Sequence, residues 1–302
     1  MKKIILILPI LAGFLFGSTG VFTRTLTAQG FNNVTILAVR TLFSAVLMGI
    51  LILLGDRNLF KIRLKDLPLF LGTGLLSMMC VNLCYNLAVN RLALSLAAVL
   101  LATAPLFVLL FAAILFKEKI TARKIGCLAL ALFGCILACG LSGQTGNTGL
   151  SFDGILPGVA AAVFCALYSI FSKLAAQKGY HTYTIIFYSL LVIAVACAPF
   201  ADYETIRTYL SEITGYRLLF LIMHALCLSI LPYLCITAAL LHAEAGIVSI
   251  LASGTEPIAA AVFGVIFFGE IPTITLLIGM AAVVASVTLL CINPKMKKAT
   301  DS

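Results

Sequence analysis

The sequence predicts an all-α integral membrane protein with ten transmembrane helices, arranged as two inverted five-helix repeats. Three observations carry this prediction. Hydrophobic residues make up 62% of the chain and charged residues 10%, with a mean hydropathy of +1.17, outside the range of ordinary soluble domains. Pro105 is followed by Glu118 and Thr121, and Pro257 by Glu270 and Thr273 at the same spacing, so the chain repeats itself at a shift of 152 residues. The basic residues, finally, are apportioned unequally between alternate connections.

Met1-Lys2-Lys3 before the apolar run 4–23 imitates a secretory signal. The run is read as a first transmembrane helix instead, because it continues past Gly17 to Phe22 with no small-x-small cleavage site. Further runs cover 33–54, 68–89, 93–116, 122–141, 154–174, 182–200, 217–240, 245–268 and 272–292. Each is near the roughly 20 residues a helix needs to cross a bilayer. They are continuous rather than alternating, which favours helices over barrel strands.

The expected organisation is a first repeat over 1–141, an external linker over 142–153, a second repeat over 154–293 and a cytoplasmic tail over 294–302. The linker holds three glycines and no Lys or Arg, as a flexible joint should. A weaker echo links Val21-Phe22-Thr23-Arg24 to Ile170-Phe171-Ser172-Lys173. It extends from Ala28-Gln29-Gly30-Phe31 to Ala176-Gln177-Lys178-Gly179-Tyr180 only with one insertion.

The net charge of +9 does not point to nucleic acid. With the N-terminus inside, fifteen of the 20 Lys and Arg fall on inner segments and four, Arg24, Arg91, Arg207 and Arg217, on outer ones. That bias places both termini in the cytoplasm. An odd number of helices per half also turns the second half over. The turn at Glu118 is then inside and basic, and its counterpart at Glu270 outside and free of Lys and Arg.

Polar residues within the runs are the candidate site. In the second run Arg40 is read as an anchor that snorkels to the interface, with a gate or anion contact as the alternative. Asn82, Asn86 and Asn90 recur every four residues along the third run, with Tyr85 on the side of Asn82. Substrate contact and plain interhelical hydrogen bonding both account for that stripe. Pro105 and Pro257, near mid-span in the fourth and ninth runs, each remove a backbone donor where water is absent. A cavity satisfies the freed groups, or Thr103 and Thr255, two residues upstream of each proline, repair them.

Glu256 is the sharpest candidate. A carboxylate at the bilayer centre costs on the order of 2.5–3.5 kcal/mol, so it faces a cavity or a partner. Desolvation favours its protonated form, which fits it to carry a proton as access alternates; contact with a substrate cation and a structural hydrogen bond are the other readings. Ser253 accompanies it, and His224, Pro232 and Tyr233 make the eighth run polar. Ser18, Thr19, Tyr168 and Ser169 are placed to complete a wall. Glu118 and Glu270 are assigned to folding of the tight turns that Thr121 and Thr273 cap.

These residues carry a family resemblance. Ala102-Thr103-Ala104-Pro105 leading to Phe116-Lys117-Glu118-Lys119-Ile120-Thr121 returns as Ser253-Gly254-Thr255-Glu256-Pro257 leading to Phe268-Gly269-Glu270-Ile271-Pro272-Thr273. Both resemble the EamA family of the drug/metabolite transporter superfamily. The resemblance implies a multi-pass carrier of the bacterial cytoplasmic (inner) membrane. Its cavity would be lined by helices 3, 4, 8 and 9, and it would move amino acids or related small metabolites, usually outward.

The expected function is secondary active export by alternating access, coupled to protons through Glu256. A passive channel or facilitator and an intramembrane enzyme are the alternatives. No Walker A sequence is present, HExxH and GxSxG are missing, and His181, His224 and His242 lie far apart in the chain. The ten cysteines fall within apolar runs and form no CxxC pair. No catalytic residue, cofactor or metal is expected. The expected partners are a small-molecule substrate and the lipid bilayer, with monomer and homodimer both open.

Overall fold

The computed structural model describes residues 2–89, 100–138, 152–212, 214–269 and 274–291. Asn90, residues 142–151 of the expected linker, Glu270, Thr273 and the tail at 294–302 lie outside the described residues, as do the side chains of Asn86 and Pro257.

The protein is an all-helical membrane protein. Its long elements are α1 (Ile5–Thr27), α2 (Asn33–Leu54) and α3 (Leu64–Tyr85), then α4 (Ala104–Phe116), α5 (Ala122–Ala138), α6 (Phe152–Gln177) and α7 (Thr182–Cys197). They continue with α8 (Gly215–His242), α9 (Ala245–Phe268) and α10 (Ile274–Cys291). Over the described residues, seven of them, α1–α3 and α6–α9, are long and apolar enough to cross a membrane. Leu42, Val46, Ile50 and Leu53 leave an exposed stripe along α2. In water such a stripe would be a liability; in a bilayer it is the lipid face.

The packing is paired across the halves. α1 lies against α9 and α8, while α6 lies against α4 and α3; α2 packs on α7, and α5 on α10. Exchanging the halves carries the first two contacts into the second two and each of the others into itself. Pseudo-twofold packing of this kind is what an inverted repeat produces.

Local geometry repeats with the same offsets. α3 contains a π-helical segment at Gly72–Met79, and α8 contains one at Leu226–Ile230, which the 152-residue shift places inside the first. Lys117 (φ 54°) and Gly269 (φ 63°) are both left-handed and are related by that shift. Gly30 (φ 89°) and Gly179 (φ 87°) end α1 and α6, where Phe31 N donates to Leu26 O and Tyr180 N to Ala175 O, both at 3.2 Å. The next helices start alike, with Asn32 Oδ1 accepting from Thr35 N and His181 Nδ1 from Tyr183 N. Leu26 and Ala175, Gly30 and Gly179, and Asn32 and His181 are each 149 residues apart. The insertion expected in the weaker echo is therefore not needed: Gly30 and Phe31 take the same places in their helix ends as Gly179 and Tyr180 without it.

Two further expectations change. α1 extends beyond residue 23 to Thr27, interrupted at Ser18, whose Oγ donates back to Leu15 O at 2.6 Å while Thr19 Oγ1 donates to Phe16 O. Pro105 is not inside a continuous helix, because Ala102 and Thr103 form a turn and Pro105 sits in the first turn of α4. A proline there removes an N–H that would have no intrahelical partner anyway. The backbone of α9, in contrast, stays helical through position 257.

Between the last turn of α7 and the start of α8, a short amphipathic helix, Tyr203–Ser211, opens with Asp202. Tyr209 of this helix packs with Leu26, Phe31, Ile36, Val39 and Leu221, sealing the ends of α1, α2 and α8. Thr205 holds the Asp202 carboxyl below the usual carboxylate range by donating its hydroxyl and its backbone N–H to it.

Candidate functional site

Half-way along α8 the polar face predicted from sequence meets aromatic side chains of two other helices. The Tyr233 ring lies edge-on to Tyr168 of α6, with centroids 4.8 Å apart, and to Phe16 of α1 at 5.2 Å. Tyr168 Oη shares a 3.0 Å hydrogen bond with Thr237 Oγ1. The π-helical segment below makes this face possible. Its wider turn brings residues five apart into register, so His224, Ser229 and Tyr233 fall on one side of α8.

Glu256 joins from α9. It is half-buried, makes no hydrogen bond or ion pair with any described residue, and lies within electrostatic range of Tyr233 and of Cys165 on α6. The helix carrying it is pressed against α1. A Cβ on Gly17 would meet Glu256 O at 2.7 Å, and one on Gly13 would meet Thr255 Oγ1 at 1.9 Å. Only glycine permits this approach, and the Gly-x-x-x-Gly spacing at 13 and 17 is the familiar form of it. Thr255 Oγ1 lies 3.2 Å from Ile10 O of α1 and 3.0 Å from Leu251 O of its own helix.

The sequence-derived candidates thus divide. His224, Tyr233, Thr255 and Glu256 belong to the α1–α6–α8–α9 region. Pro105 and Ser253 instead line a void of about 10 Å³ between α4, α5 and α9, with Ala102 and Leu128, space for a single water at most. Asn82 Nδ2 donates to Met78 O of its own helix at 2.7 Å, and Thr103 Oγ1 to Leu100 O at 2.6 Å. Tyr85 is half-buried. A larger apolar groove of about 330 Å³ runs between α4 and α5, lined by Leu106, Leu110, Ile125 and Leu132 among others; it has no polar anchor.

Sequence reasoning missed three features. Arg40 is half-buried and more than a surface anchor: its Nε is fully buried without a partner, and the side chain lies in electrostatic range of Tyr233, His224 and Cys197. Glu118 is not a local turn carboxylate. Its Oε1 takes 2.5 Å from Lys173 Nζ of α6 and 3.0 Å from Ala245 N at the start of α9, so it caps a helix of the other half. The Gly13–Gly17 spacing, lastly, is a sequence signal for the close approach of α1 and α9 that hydropathy does not carry.

The same end of the molecule carries two more ties between the halves. Lys178 pairs with Asp66, which also accepts from Tyr180 Oη at 2.7 Å, and Lys124 pairs with Glu244. Lys173 Nζ also donates to Ala243 O at 3.2 Å and stands 5.1 Å from the centre of the Phe116 ring.

Residues 2–140 and 153–292 each match the EamA-like transporter family. An uncharacterized transporter of Archaeoglobus fulgidus is 26% identical over 175 residues, which span 58% of this chain and 59% of that protein. A crystal structure of a protein shares the fold with a TM-score of 0.71, covering 94% of this chain and 95% of its own at 17% identity.

Proposed function

Because the chain belongs to the EamA-like transporter family, a transporter family and not an enzyme family, we propose that it is a secondary carrier that exports amino acids or related small metabolites. Rocking of the two repeats about α1, α6, α8 and α9 opens the site to each side in turn. Glu256 takes up a proton on one side and releases it on the other. The observation that supports this most is the half-buried Glu256 carboxyl, which has no hydrogen-bond or ion-pair partner among the described residues and stands beside Tyr233 at mid-depth. Without an exchangeable proton or a cationic ligand, a carboxylate at that depth is only a cost. The enrichment of Lys on the Glu118 end supports a cytoplasmic position for that face and for both termini.

Reconstitution tests the coupling. Proteoliposomes with an imposed pH gradient are expected to accumulate a transported amino acid against its own gradient. Glu256→Gln is expected to lower gradient-driven uptake at least tenfold while leaving exchange of pre-loaded substrate measurable. Equal pH dependence in parent and variant removes Glu256 as the proton site, and downhill flux alone makes the protein a facilitator.

A further inference from the structure

Arg40 presents a problem that the proton-coupled cycle does not use. A guanidinium cannot shed its charge, and burying one is unfavourable unless it is paired and hydrogen-bonded. Arg40 makes no hydrogen bond or ion pair with any described residue, and its Nε is fully buried. The two ring nitrogens of His224, which lies in electrostatic range of Arg40, are buried without partners, and so is the Ser229 hydroxyl on the π-helical turn of α8 that packs on α2. His224 is 1% exposed and stacks on Phe22 at 5.2 Å, so its ring is held in place. Ser44 Oγ, one turn along α2 from Arg40, approaches Ala225 O at 3.4 Å and fixes α2 against this part of α8. Glu118, Asp66 and Glu244 are engaged by Lys173, Lys178 and Lys124 at the lysine-rich end, and the unpaired Glu256 makes no ion pair with Arg40.

We propose that Arg40, together with His224 and Ser229 of the facing stretch of α8, is an anion-binding subsite of the solute path, and that the transported solute carries a carboxylate or phosphate group. This rests on the carrier reading above. Arg40 lies seven residues into α2, about 10 Å from its start at 1.5 Å per residue, so an anion reaching it has left bulk water. The guanidinium supplies the charge-assisted donors that replace that water. His224 offers one ring N–H, and Ser229 its hydroxyl. Tyr233 lies in electrostatic range of both Arg40 and Glu256 and so joins the anion subsite to the acidic one. A solute with an anionic and a cationic end fits such a path along its length.

The test is thermal unfolding of the full chain in an uncharged detergent at constant ionic strength. The probes are acetate, inorganic phosphate, the L-amino acids and their amides, each tried on the parent, Arg40→Gln and Arg40→Met. At least one free acid or phosphate is expected to raise the midpoint of the parent by several degrees and that of Arg40→Gln by none, with the matching amide inactive. Arg40→Met, which keeps the apolar stem, is expected to raise the midpoint of the unliganded protein by removing a half-buried charge that has no partner among the described residues. A lowered midpoint in Arg40→Met, no shift with any anion, or equal shifts in parent and Arg40→Gln overturns the subsite. An Arg40-dependent shift seen only on adding phosphatidylglycerol assigns the guanidinium to a lipid headgroup and overturns its role toward solute. Counterflow in proteoliposomes is read separately: Arg40-dependent binding without exchange leaves the subsite standing and removes the carrier.

Discussion

Lys117 shows at a single residue how the two copies of a repeat solve one problem differently. Both positions that end α4 and α9 are left-handed, but the second copy uses Gly269 and the first an exposed lysine. A side chain in that conformation costs roughly 1–2 kcal/mol, partly offset by the extra freedom a glycine has in the unfolded chain. Lys117→Gly is therefore expected to stabilise the protein, by about 0.5–1 kcal/mol. A thermal melt that falls on this substitution would show that the lysine holds a contact outweighing its backbone strain. Glu256 and Tyr233 were legible at this scale because an acid or a phenol in an apolar run has few uses. Arg40 was only partly legible: its distance from the helix end permits snorkelling, and only the structure shows that its Nε is buried.

Between elements, the signals that matter are contacts across long stretches of chain, and these were the least legible. Glu118 has a sequence context, just before Thr121, that argues for a local cap. Thr121 does supply one, accepting from Lys124 N at 3.3 Å. The carboxylate turns away to α6 and α9 instead. Its pair with Lys173 is buried, both side chains being 8% exposed. Removing one member of such a pair strands the other charge, at about 3–5 kcal/mol, whereas removing both together is much less harmful. Lys173→Met is thus expected to lower the thermal midpoint sharply, and Lys173→Met with Glu118→Gln to recover most of the loss. Equal damage in the single and double variants would mean that Lys173 matters through its packing on Phe116 and not through its charge. Helix existence and order, by contrast, were readable from length and hydropathy alone, since each span must satisfy its backbone internally.

At the scale of the whole molecule, the repeat ties the reading together. The 152-residue shift was evident because the α4 and α9 motifs contain a proline, a glutamate and a threonine at fixed spacing. The 149-residue shift of α1 and α6 was blurred, because a C-cap glycine and an N-cap constrain geometry far more than sequence: Asn32 and His181 do the same work with different side chains. Inversion makes a claim that labelling can decide. Lys61 follows α2, Glu204 follows α7, and both are exposed. α7 crosses from the level of Tyr188, which donates to Phe60 O at 2.7 Å, to that of Asp202, whose N–H donates to Thr35 Oγ1 at 2.9 Å. Cysteines introduced at Lys61 and Glu204 are therefore expected to react with an impermeant maleimide from opposite sides of the membrane. The excess of Lys and Arg further places Lys61 on the cytoplasmic side, so Lys61→Cys should label in inside-out vesicles and Glu204→Cys in right-side-out ones. Exchanged labelling would correct the orientation and keep the architecture. Labelling of both from one side would leave α2 and α7 unable to cross as a pair, and the alternating cycle built on their inversion would fail with them.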